Sequence, residues 1–91
     1  MPTEEERKIV RQALVKLRDR ALPRVKSQEL VEDGIWEDLI GYWKFAMNYG
    51  LKPGMAEKAN PATEQIHSWQ FVYHCADAAL TSLTTEADDH V

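Results

Sequence analysis

Apolar residues recur at helical spacing in three separate stretches of the chain. In the first, Ile9, Val10, Ala13, Leu14, Leu17 and Ala21 fall in one arc, with Arg7, Arg11 and Arg18 together on its outer side. Thr3 followed by Glu6 is a capping-box pattern, and Glu4 to Glu6 suit the positive end of a helix dipole. Pro23 cannot join the helix ladder, so a helix over about 3–22 ends or kinks near Ala21. The mixed stretch Arg24 to Glu32 reads either as a short helix over 27–32 opening at Ser27 or as a continuation beyond the kink.

Asp33-Gly34 offers a break with an N-cap, and a helix over 34–49 follows with Ile35, Trp36, Leu39, Ile40, Trp43, Ala46 and Met47 as its stripe. Gly50 and Pro53 form the usual stop arrangement. Asn60-Pro61 then reads as N-cap plus N1 proline. The helix expected from there runs over 61–84 and buries Ile66, Trp69, Val72, Tyr73, Ala76, Ala79, Leu80 and Leu83 in a 3–4 alternation. Alternating strand patterns, repeats and low-complexity runs are absent from the sequence. The expectation is one all-α domain over 1–91, a small bundle of three long helices with or without a short extra one, frayed at 1–3 and 85–91.

Composition agrees with a single small core. The chain has 91 residues, 44% hydrophobic and 29% charged, with four Gly and four Pro, too few for many short strands and tight turns. The opening MPTEEERK puts acids where a signal peptide needs a basic start, and no apolar run reaches the ~18 residues that span a bilayer. A cytoplasmic protein without membrane contact is the expectation.

Charge changes the picture more. The formal net charge of −4 combines a basic N-terminal segment with an acidic body. Residues 1–26 hold eight Lys or Arg against four acids, and the rest hold three Lys against eleven acids. Such a two-signed molecule suits docking, to a partner or to a second copy of itself. Eight basic residues could also follow a phosphate backbone, but no aromatics are interleaved with them to stack bases. Nucleic-acid binding is therefore an alternative that the pattern does not favour.

Chemistry-bearing motifs are sparse. Glu64, His67 and His74 would share one face of a helix over 61–84, and a Glu with a His three residues on can share a metal ion. Bundles of that kind need further inward carboxylates, which this chain lacks unless a dimer supplies them; the bland reading is a first-turn Glu and two surface histidines. His67 and Cys75, eight apart on one helix, would be separated by ~12 Å of rise, too far for a thiolate–imidazole pair. Cys75 is expected to pack as a small hydrophobe. No cofactor motif occurs.

Aromatic surplus is the better signal. Tyr42, Phe45 and Tyr49 share one flank of the second long helix, and His67, Phe71 and His74 lie opposite the main stripe of the last one. Either these are anchors for a protein partner, or the core is wider and the connections cover them. The function expected is a small non-catalytic protein-interaction module that inhibits, adapts or regulates a larger protein. Its surfaces would be these aromatic faces and the basic face of Arg7, Arg11 and Arg18.

Overall fold

A computed structural model describes residues 3–48 and 60–88. Among them the chain forms three α-helices in a bundle: α1 (Glu4–Ala21), α2 (Asp33–Asn48) and α3 (Trp69–Asp88). A 3₁₀ turn, Leu22–Arg24, follows α1 directly, placing Pro23 in the first turn of a new element where its missing N–H costs nothing. The capping box at the start of α1 is formed, with Glu6 N–H donating to Thr3 Oγ1 at 3.0 Å and Thr3 N–H to Glu6 Oε1 at 3.3 Å.

The helix α3 is the centre of the bundle, packing on α1 along most of its length and on α2 beside it. Its buried side chains are Trp69, Val72, Cys75, Ala76, Ala79, Leu80 and Leu83, which meet Leu14, Leu17 and Ala21 of α1 and Trp36, Leu39, Trp43 and Ala46 of α2 in one cluster. Ala76 and Ala79 of α3 let the neighbouring helices approach closely, while the tryptophans of α2 and α3 fill the remaining volume.

The inner seam of α1 differs from the arc read from its hydrophobic residues. It follows the 3–4 alternation Arg7, Val10, Leu14, Leu17, Ala21, and Ile9 stands outside it, 55% exposed. Arg7 is thus a seam residue with 3% exposure, not part of an outer basic face.

Two connections also depart from expectation. Residues 27–32 form no helix: Ser27 Oγ accepts from Glu29 N–H at 2.9 Å, closing a local turn, and the chain then runs extended into α2. Nor does the last helix begin at Pro61. Asn60 caps a turn, its Oδ1 accepting from Ala62 N–H at 2.9 Å and its carbonyl from Thr63 N–H at 3.3 Å. An Asn-Pro pair serves the first corner of a β-turn as readily as a helix start. The helix starts eight residues later, where Ser68 Oγ accepts from Phe71 N–H at 3.3 Å, the geometry of a serine N-cap.

The two extended segments meet. Leu30 and Ser68 form an isolated antiparallel bridge. Val31 N–H donates to His67 O at 2.7 Å, and Trp69 N–H donates to Glu29 O at 3.4 Å. This bridge ties the α1–α2 connection to the entry of α3.

Candidate functional site

Trp36 organises the corner around that bridge. It is buried in α2, and its Nε1 donates to the carbonyl of fully buried Pro61 at 3.2 Å. The half-buried His67 ring lies flat on it, with centroids 4.2 Å apart and planes 6° from parallel, and Phe71 packs against it at 6.0 Å. One indole therefore holds the 60–68 segment to the bundle through a hydrogen bond and a stack.

This arrangement separates the three residues considered for a metal. Glu64 and His67 lie ahead of α3, not on it. Glu64 Oε1 accepts from Ile66 N–H at 3.0 Å, His67 faces Trp36, and His74 is exposed on α3 edge-on to Tyr73. Among the described residues no group of three or more His, Cys, Asp or Glu is placed to hold a metal ion. Cys75 is buried within α3. Burial, with the Glu64 carboxylate adding to it, pushes the thiol up to about 12 from its ordinary 9.0.

The basic residues of α1 divide between the bundle and its outside. Arg7 donates from Nη2 to the Leu83 carbonyl at 3.0 Å and contacts Glu4 at 3.4 Å. Half-buried Arg18 pairs with Asp77 of α3 at 3.7 Å. Arg20 and Arg24 each place a guanidinium 5.3 Å from the Trp69 ring centroid. Much of the positive segment is thus spent on α3, within the molecule. Lys8, Arg11 and Lys16 turn away from it and line a shallow surface cleft of about 570 Å³ with Gln12 and Val15.

The aromatic flanks are packed more deeply than their position in the pattern implies. Tyr42, Phe45 and Phe71 are half-buried against the core cluster, and Tyr49 lies outside the described residues. A narrow cleft of about 240 Å³ between α1 and α2 is lined by Leu17, Arg20, Ile35, Asp38 and Tyr42, among others. Among the described residues the most exposed large apolar side chains are instead Leu30 at 67% and Ile66 at 64%, one on each extended segment. Beside them opens a cleft of about 450 Å³, lined by Ser27, Gln28, Glu64, Ile66, Ser68, Gln70 and Phe71.

Helical periodicity does not find this surface, because the pattern places both residues in helices. What signals it in the sequence is Leu30 beside buried Val31 in a stretch flanked by Glu29 and Glu32, an in–out alternation too short to stand out.

No family model matches the chain, and no curated protein or solved structure is significantly similar to it. Among the described residues no helix is long and apolar enough to cross a membrane.

Proposed function

We propose that this chain is a small protein-interaction module, acting on a larger protein partner without catalysis of its own. The observation that carries the reading is that Leu30 and Ile66, two largely exposed aliphatic side chains, lie on two segments bridged at Leu30 and Ser68. Side chains of this kind on a rigid corner are suited to anchoring a partner. His67 and Phe71 of the aromatic set border the same corner, whereas Tyr42 and Phe45 lend their area mainly to the core. The scaffold suits the task, since Trp36 and the bridge hold the corner in place and ordering it on binding costs little.

The test is affinity capture from the native host with wild type and a Leu30→Ser/Ile66→Ser double variant, beside an Ile9→Ser/Met47→Ser control that also replaces two exposed apolar side chains. The reading expects a partner retained by wild type and control and lost from the double variant. Capture by neither wild type nor control overturns it, and equal loss from both variants moves the surface elsewhere.

A further inference from the structure

The bridge leaves an open backbone edge. Leu30 faces Ser68 in the non-hydrogen-bonded register, because the bonds that close the bridge come from the residues on either side, Val31 with His67 and Trp69 with Glu29. In that register the N–H and C=O of Leu30 point away from the paired segment, toward the open side. Among the described residues neither group has a hydrogen-bond partner. Gln28, Glu29, Leu30 and Glu32 are all exposed, so water is what meets this edge. An uncovered edge of extended backbone is a template for another strand.

Charge selects the occupant. Glu29, Glu32 and Asp33 flank Leu30 in the chain, and the ion pairs formed among the described residues go to Glu4, Asp19 and Asp77 instead. A second copy pairing edge to edge would bring a second set of the same carboxylates alongside the first, and like charges gathered across a strand pair are destabilising. A strand carrying Lys or Arg on either side of an apolar residue would answer them, with the apolar residue on Leu30. We infer that the outer edge of residues 28–32 accepts an extended, basic segment of another protein by strand addition, packed on Leu30 and paired to its free N–H and C=O.

This inference rests on the interaction reading, and specifies how the partner is held. Its test uses the whole chain, ¹⁵N-labelled, and a fluorescent heptapeptide alternating lysine and valine. Leu30→Pro removes the outward N–H and spares both bonds of the bridge, a substitution that edge strands tolerate. Leu30→Ala removes the side chain and keeps the donor.

The expected result is a shift of the Leu30 amide resonance on peptide addition. Binding should weaken as salt rises, and should be at least fivefold weaker for Leu30→Pro than for Leu30→Ala. A peptide N-methylated on alternate residues, or one with glutamate replacing lysine, should not bind. The inference is overturned if the Leu30 amide does not move, if the N-methylated or glutamate peptide binds as well, or if the Leu30 resonance shifts with protein concentration alone, which would mark a second copy at the edge. A natural partner captured equally by wild type and Leu30→Pro would overturn strand addition while leaving the interaction reading intact.

Discussion

Arg7 and Cys75 show how a residue's role is set by its place on the seam. The seven-residue spacing from Arg7 to Leu14 puts the guanidinium at a position that an aliphatic residue would ordinarily hold, where it reaches the Leu83 carbonyl. Hydropathy alone sends an arginine outward, so its burial was not legible until the register was fixed by Leu14, Leu17 and Ala21. Arg7→Ala removes a charge-assisted hydrogen bond and buried packing, and should cost about 1.5–3 kcal/mol in urea unfolding. An effect under 0.5 kcal/mol would mean that Arg7 is solvated. Cys75 behaves as its sequence suggested, a small apolar residue in the stripe. Its thiol is raised in the folded chain, so the unfolded chain ionises first: the contribution to stability is whole below pH 9 and declines between 9.0 and about 12. Wild type should therefore lose more stability than Cys75→Ala over that interval; parallel curves for the two would contradict the burial.

At the scale of elements, the three helices were legible because each carries a 3–4 stripe long enough to outweigh local ambiguity. The connections were not. Ser27 and Asn60 carry side chains that cap helices and turns alike, and which they do depends on whether the next residues have a core to bury against. Residues 61–68 instead anchor through Pro61 and His67 to Trp36, a tertiary contact with no periodic signature. The candidate metal residues scatter for this reason, since their shared face presumed a helix that starts eight residues later. Ser68 is the working cap of α3, and Ser68→Ala should cost about 0.5–2 kcal/mol. Substituting Asn60, whose bonds close only an exposed turn, should cost less. The reverse order, from thermal melts of the two alanine variants, would place the start of the helix at Pro61 after all.

Over the whole molecule, the division of charge has a largely internal use. The basic N-terminal segment contains α1, and Arg7, Arg18, Arg20 and Arg24 engage the backbone, a carboxylate and an indole of α3. A nucleic-acid interface on α1 would have to stand on Lys8, Arg11 and Lys16, a short basic face without stacking groups. The acidic body keeps its charge outward around residues 29–33, beside Leu30 and Ile66, the two most exposed aliphatic side chains among the described residues. That juxtaposition is the centre of the functional proposal. It is tested most directly by photo-crosslinking in the native host, with a benzophenone side chain placed in turn at positions 30, 66, 9, 22 and 47. The proposal predicts adducts to one partner from positions 30 and 66 and none from the other three. Adducts from 9, 22 or 47 instead, or none from any position, would contradict it.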